Sequence, residues 1–375
     1  MTQIFLIRHG EAEGNRYRRC QGQTDMPLTK AGREQAAALE ARFARVPLDA
    51  VYSSDLHRAM ETVAFAGKPH GLAPIPDPRL REMSFGVWEN LPWGEIDRRW
   101  PEQKKLFLTD PGKLNVPGME DWRQVQQRYA RALGDIARRH EGGTVAVGGH
   151  GMAIRLFLAY LRGVPSERIS EVTLPGNTAV THLLWEDGKF TVDYDNDTSH
   201  LPVPPREPMR TIPGKSGQSW DLRFTPFDLA EGRERYIDAY RDAWRFAHGS
   251  LQGFDETACV LAAESYVRDD PRAVTAARRG KDLAGLLTLD LRRGRRWGEG
   301  WIAFLWVSPE LRGHGCGMQL LGEAVARYRS LGRRALRLSV APSNPAVTFY
   351  RRAGFVRVDT QPGAIEPLWV MELGL

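Results

Sequence analysis

Two stretches decide the fold: Gln3-Ile-Phe-Leu-Ile7-Arg8-His9-Gly10 and Thr144-Val-Ala-Val147-Gly148-Gly149-His150-Gly151. Each is a compact β-rich run that ends on a histidine next to glycine. The second leads straight into 151–161, whose apolar spacing predicts a helix. Working outward from these runs, Pro27-Leu-Thr29 opens a further helix, with Thr29 as N-cap and Ala36, Leu39, Phe43 and Val46 on one face. Residues 49–52 read as another strand, followed by a helix over about 56–65. Trp122, Val125, Tyr129, Leu133 and Ile136 again recur at helical spacing. Strands alternating with helices imply a parallel sheet covered on both faces. Ligands of such sheets sit beyond the carboxyl ends of the strands. His9 and His150 both stand at such ends, where packing alone does not account for them.

The chain has 375 residues, which suggests two domains, each large enough for its own core. The division falls in 202–218, which holds Pro202, Pro204, Pro205, Pro208 and Pro213. Proline at that density excludes a helix interior or a central strand and reads as a semi-extended linker. The expected organisation is 1–201, a linker over 202–218, and 219–375. A net charge of +6 favours anionic ligands, but an excess this mild does not single out nucleic acid. Cys20, Cys259 and Cys316 are widely spaced and odd in number, which argues against a disulfide framework or a zinc site. No apolar run is long enough for a membrane span, and the one near Met1 is too short for a signal-peptide core. The expectation is a reduced, cytoplasmic protein with no membrane partner. Its oligomeric state is left open.

Phosphoryl transfer needs a nucleophile, fixed cations around three charged oxygens and a proton donor for the leaving group. The first half offers such a set where strands and turns end: Arg8 and His9, Arg58, Glu82 and His150. Leu6-Ile-Arg-His-Gly-Glu11, Gln21-Gly-Gln-Thr-Asp-Met-Pro-Leu-Thr29, Ser53-Ser54 with Arg58-Ala59, and Gly149-His150-Gly151 occur in that order. Together they resemble the histidine phosphatase (phosphoglycerate mutase-like) superfamily over about 1–201, which implies a three-layer α/β/α domain. The resemblance implies that His9 is transiently phosphorylated and that Arg8, Arg58 and His150 bind the phosphoryl oxygens. Asn15, Gln21 and Gly22 would add substrate contacts, and Glu82 would act as general acid and later activate water, with no metal. Ala12 stands where relatives usually carry Thr or Ser. The substrate class is a small-molecule phosphate ester, and a mutase remains the alternative to a hydrolase. His57 and His70 read as loop or surface histidines. Trp100 and Trp122 read as packing residues, while Trp88 and Trp93 are evenly balanced between packing and a substrate mouth.

In the second half, a strand over 220–224 precedes helices near 229–246 and 255–267. Strands follow at 273–277, 283–291 and 301–307, then a helix over 316–331, a strand over 335–340 and a helix over 346–353. This order is α+β, with a mostly antiparallel sheet interrupted by a crossover helix. Val307-Ser-Pro-Glu-Leu-Arg312-Gly313-His314-Gly315-Cys316-Gly317-Met318 places Arg-x-x-Gly-x-Gly between strand and helix. Such a turn can aim amides at a pyrophosphate, yet it is neither a Walker loop nor a dinucleotide fingerprint. With Ser343-Asn344 through Tyr350 to Gly354-Phe355, it resembles the GNAT acetyltransferase superfamily over about 220–375. The resemblance implies acetyl-coenzyme A held by the amides from Arg312 to Met318, with its pantetheine arm along 304–307. Asn344 would touch the cofactor and Tyr350 would protonate the departing thiolate, with an amine as acceptor. Glu299 is weighed as a base but reads better as a solvated loop carboxylate. The 292–296 basic run reads as a solvated turn. A sensor that binds acetyl-coenzyme A without transfer stays open as the other reading.

Overall fold

The computed structural model describes residues 1–202 and 220–375. Apart from Pro202, the expected linker lies outside the described residues. The chain divides into two compact units, Met1–Ser219 and Trp220–Leu375.

The first unit runs β1 (Thr2–Arg8), α1 (Glu13–Arg16), α2 (Lys30–Phe43), β2 (Ala50–Ser53), α3 (His57–Gly67), β3 (Ile75–Pro76), α4 (Trp93–Arg99), α5 (Pro101–Thr109), α6 (Trp122–Arg139), β4 (Thr144–Gly149), α7 (Gly151–Leu161), β5 (Val180–Glu186) and β6 (Lys189–Asp197). Its sheet has the order β3-β2-β4-β1-β5-β6. The pairs β3–β2, β2–β4 and β4–β1 are parallel, whereas β5 and β6 pair antiparallel. Side chains alternate across a strand, and β1 uses both faces. Ile4 and Leu6 join the core beneath α6 and α7, while Phe5 and Ile7 join the core of Leu39, Phe43 and Val63 from α2 and α3. Covered faces make β4 a continuous buried run and bury β1 at every residue but Gln3, so functional polar side chains are left to the ends of these strands. The hairpin β5–β6 has no counterpart in the sequence reading. Thr29 does cap α2, accepting from the Gly32 amide.

The second unit comprises β7 (Arg223–Pro226), α8 (Leu229–His248), α9 (Glu256–Asp269), β8 (Val274–Arg279), β9 (Asp282–Asp290), β10 (Glu299–Val307), α10 (Cys316–Ser330), β11 (Ala335–Val340), α11 (Ala346–Ala353), β12 (Val356–Gln361) and β13 (Leu368–Gly374). Its sheet is ordered β12-β13-β11-β10-β9-β8-β7 and is antiparallel except for β10–β11. It is the mixed sheet expected of a GNAT-like domain. The first strand begins later than the sequence suggests. Trp220 stacks on His314 with ring centroids 4.3 Å apart, and its carbonyl accepts from Gln319, so this segment is tied to α10 rather than to the ladder. Phe227, Tyr236, Ala239, Ala263 and Phe304 pack α8 and α9 against one face. Among the described residues no helix is long and apolar enough to cross a membrane, and no group of three or more His, Cys, Asp or Glu is gathered to hold a metal ion.

Candidate active site

His9 follows β1, and its peptide is fixed on two sides. Its amide donates to the Gly149 carbonyl at 3.0 Å, and its carbonyl accepts from Asn177 Nδ2 at 3.0 Å. Its ring Nδ1 lies 2.7 Å from the Gly10 carbonyl. A carbonyl only accepts, so Nδ1 carries the proton and Nε2 presents its lone pair. Burial, then Arg58 and Arg8, hold the imidazole well below its ordinary pKa. His150 lies with its ring centroid 5.3 Å from that of His9. Its Nε2 meets Ser54 Oγ at 2.7 Å. Ser54 Oγ also accepts from the Leu56 amide, and with Nε2 engaged by this hydroxyl the second ring nitrogen, Nδ1, is left without a partner. Burial and then Arg58 depress this histidine as well.

Two arginines complete the pocket. Arg8 is buried, and burial lowers its pKa to about 10. Its Nη1 donates to the Pro175 carbonyl. Arg58 is fully buried, donating Nη1 to Thr24 O at 2.8 Å and Nη2 to Gly22 O at 2.6 Å. Arg8 Nε, Arg58 Nε and His150 Nδ1 are buried and have no hydrogen-bond partner. Leaving a buried polar group unmet costs about 1–3 kcal/mol, so two unmet guanidinium donors and an open ring nitrogen around a buried imidazole suit an anion.

Glu82 lies at the N-terminus of α7. Its Oε1 accepts from Met83 N and Ala153 N, at 2.9 and 2.8 Å, and Oε2 accepts from Met152 N at 3.0 Å. Oε2 therefore keeps the more open lone pairs. Arg128 holds the backbone here, donating to Arg81 O and Glu82 O. Gly22 adopts φ +52, and a Cβ there would fall 2.4 Å from Glu89 Oε1. Glu89 accepts from the Gln23 and Thr24 amides and so fixes the loop that Arg58 grips. Asn15 Oδ1 is engaged by the Ala12 amide at 3.0 Å. Gln21 is buried, with Oε1 unpaired. Trp88 is fully buried in the core, and Trp93 packs against it and Phe107.

In the second unit, β10 pairs with β11 only from Glu299 to Ile302. A register shift follows between Ile302 and Phe304, and beyond it 304–307 pairs with β9 alone. The two parallel strands thus splay and leave one backbone edge of β10 open. At its end, α10 starts from Gly315 at φ +79 with no side-chain cap, preceded by Gly313 at φ +81. The first amides of a helix have no intrahelical acceptor, so those of Cys316 and Gly317 suit an anion, and the turn from Gly313 to Gly315 leads into them. The Met318 amide bonds Gly315 O instead. The Arg312 amide bonds Pro309 O at 3.3 Å, and its guanidinium bonds Asp242 and the Val307 carbonyl. Asn344 Oδ1 accepts from the Ala346 amide, the first of α11, at 2.8 Å. Tyr350, buried on α11, has its phenol pushed up to about 12 by desolvation. Glu299 is no free loop carboxylate, because it pairs with Arg337 at 2.7 Å.

The family model described as histidine phosphatase superfamily (branch 1) matches residues 4–198. The chain belongs to the histidine phosphatase superfamily. The acetyltransferase (GNAT) family model matches residues 233–355 of the same chain. Among named relatives, "Probable phosphoglycerate mutase GpmB" of Yersinia pestis (strain Pestoides F) is 31% identical, with the match covering 54% of this chain and 97% of that protein. The protein of the same name from Yersinia pseudotuberculosis serotype O:1b matches equally. Among solved structures, Bacillus stearothermophilus YhfR is 34% identical at a TM-score of 0.52, covering 53% of this chain and 99% of that one.

Within this histidine phosphatase domain the fold gathers His9, His150, Arg8, Arg58 and Glu82 at one end of the sheet. The sequence reading missed Ser54, Thr62, Glu89 and Arg128. Ser54 stood in a quoted motif. Thr62 Oγ1 accepts from the Gly10 amide at 2.9 Å, and only the packing of α3 against the β1 end makes that visible.

Proposed function

We propose that the histidine phosphatase domain hydrolyses a phosphate monoester through a phosphohistidine on His9. The observation that carries this reading is the trio of buried, unpartnered nitrogens Arg8 Nε, Arg58 Nε and His150 Nδ1 beside an imidazole with its lone pair on Nε2. A phosphoryl group offers oxygens to all three. His9 Nε2 attacks phosphorus, the ester P–O bond breaks, and Glu82 Oε2 gives the proton to the leaving oxygen. Glu82, now ionised, takes a proton from water, whose oxygen attacks the phosphohistidine. The P–N bond breaks, inorganic phosphate leaves, and both residues return to their starting states. The depressed pKa values of His9 and His150 keep both rings neutral near pH 7, as attack requires.

Acid quenching during turnover of an aryl phosphate should trap label on His9, and His9→Ala should remove both label and activity. Full turnover by His9→Ala sinks the reading. Because the Yersinia relatives carry the name of a mutase, the products must be identified too. Free phosphate supports hydrolysis; an isomeric phosphate ester replaces it with a mutase.

For the GNAT domain we propose acetyl-coenzyme A-dependent transfer to an amine. The splayed β10–β11 edge and the uncapped α10 start fit the cofactor. The 304–307 edge and the amides of Gly313, His314, Gly315, Cys316 and Gly317 would hold it. When bound, it supplies an acyl thioester. Tyr350 Oη keeps its proton at neutral pH and would donate it to a departing thiolate. Amine-stimulated release of thiol that Tyr350→Phe slows is the expected result. Tight binding with no release across a broad amine panel favours a sensor instead. We place both activities in the cytoplasm, consistent with three free thiols.

A further inference from the structure

The nucleophile's peptide is held by a turn that sequence motifs did not single out. Thr178 N donates to the His9 carbonyl at 3.3 Å, Asn177 Nδ2 donates to the same oxygen, and the Arg8 amide donates to Ala179 O at 3.1 Å. Thr178 is fully buried and adopts φ +56. A β-branched residue in the left-handed region is a true outlier, which persists only where its surroundings over-determine it.

What determines it comes from the end of the domain. His200 Nε2 lies 3.1 Å from Thr178 Oγ1, and His200 Nδ1 lies 3.2 Å from Arg42 Nη1. Arginine only donates, so Nδ1 accepts and the proton sits on Nε2, directed at Thr178. The Thr178 hydroxyl in turn donates to Asn177 O at 2.8 Å. The network thus has one consistent direction: Arg42 to His200, His200 to Thr178, Thr178 to Asn177. It needs a neutral His200, and burial, then Arg42, push its pKa down to about 4 against the opposing pull of Asp197. Arg42 is itself fixed by Asp197 at 2.6 Å and by Tyr194 Oη at 3.1 Å. The Ser199 amide and the Thr198 carbonyl close this segment into a turn, bonding Asp197 Oδ1 and Leu201 N.

We propose that His200 is a positioning residue for the phosphoryl-transfer site, locking the strained Thr178 turn that sets the backbone of Arg8 and His9. It touches neither substrate nor His9, and its role rests on the phosphohistidine reading only where activity is the readout. His200→Phe keeps the ring's bulk without its hydrogen bonds, and Thr178→Val keeps the branch without the hydroxyl. In the full chain, each should lower kcat per labelled His9 about tenfold with KM little changed. His200→Gln, which can still donate to Thr178, should recover most of the rate. A purely structural role would lower the labelled fraction and the melting temperature but leave kcat per labelled site intact. The second readout is independent of chemistry: ¹⁵N spectra of the histidine rings should show His9 displaced in His200→Phe and restored in His200→Gln. Displaced His9 signals in a protein whose parent never labels would overturn the phosphohistidine reading and sustain this one. His9 signals that superimpose on the parent's in both folded variants overturn the positioning role, as does an unchanged kcat per labelled site.

Discussion

At the scale of single residues, two neutral histidines sit among cations, and that arrangement has a consequence for stability. His9 and His150 are held well below their ordinary pKa, first by burial and then by Arg58. His200, near 4, acts in the same direction. In the unfolded chain these groups titrate near 6.5, so on acidification the unfolded state takes up protons that the folded state refuses. Stability is then fully present above about pH 6.5 and falls as pH drops towards the folded values. Urea midpoints of the first domain should decline from pH 7.5 to 5.5, above the range where the paired carboxylates titrate. His150→Gln, neutral throughout, should give a shallower decline. A slope identical to the parent's would show that His150 is not held neutral. Catalysis follows the same logic, because neutral rings are retained where a free imidazole would already be charged.

At the scale of elements, the loop after β1 and helix α2 meet backbone to backbone. A Cβ on Gly10 would fall 2.6 Å from Gly32 O, and one on Gly32 would fall 2.0 Å from Glu11 O. No side chain can flex away from either contact. Helix propensity alone predicts that Gly32→Ala stabilises α2 by about 1 kcal/mol. Packing predicts the opposite sign, a loss of about 1–3 kcal/mol or more as Glu11 is displaced. Since Gly10 follows His9, the displacement should also cut phosphatase activity. Denaturant unfolding of Gly32→Ala decides between the two effects, and a stabilised variant would refute the close approach. Gly151 differs in that its close neighbour is a side chain: a Cβ there would lie 3.0 Å from Arg8 Nε at the start of α7.

At the scale of the whole molecule, each unit carries its own sheet and cores, and every residue of the proposed phosphatase chemistry lies in the first. We propose that 1–201 and 219–375 fold independently. Calorimetry of the intact chain should then resolve two transitions that match those of the separate fragments. Fragment 1–201 should keep its phosphatase rate within a few-fold. Fragment 1–196 ends before His200 and should lose at least the tenfold attributed to that residue. A rate collapse already in 1–201 would show that the domains depend on each other.

Local pattern was enough for much of this protein. Strand–helix alternation comes from side chains at periods of two and near four, and those periods are set by the nearest neighbours in the chain. His9, His150, Arg8 and Arg58 could be recognised as a set because each follows a readable element end. The helix start at Thr29 was legible for the same reason, since a capping oxygen acts within three residues. Tertiary structure decided whatever depends on partners distant in the chain. It added the antiparallel hairpin β5–β6 beside β1, because pairing between strands leaves little trace in either strand alone. It turned Arg312 towards Asp242, 70 residues away, and paired Glu299 with Arg337 across two strands. It also joined Ser54 to His150 and His200 to Thr178. Those bonds orient two rings and hold a strained peptide, and no spacing in the sequence encodes them, because a hydrogen bond is satisfied by proximity in space whatever the separation along the chain.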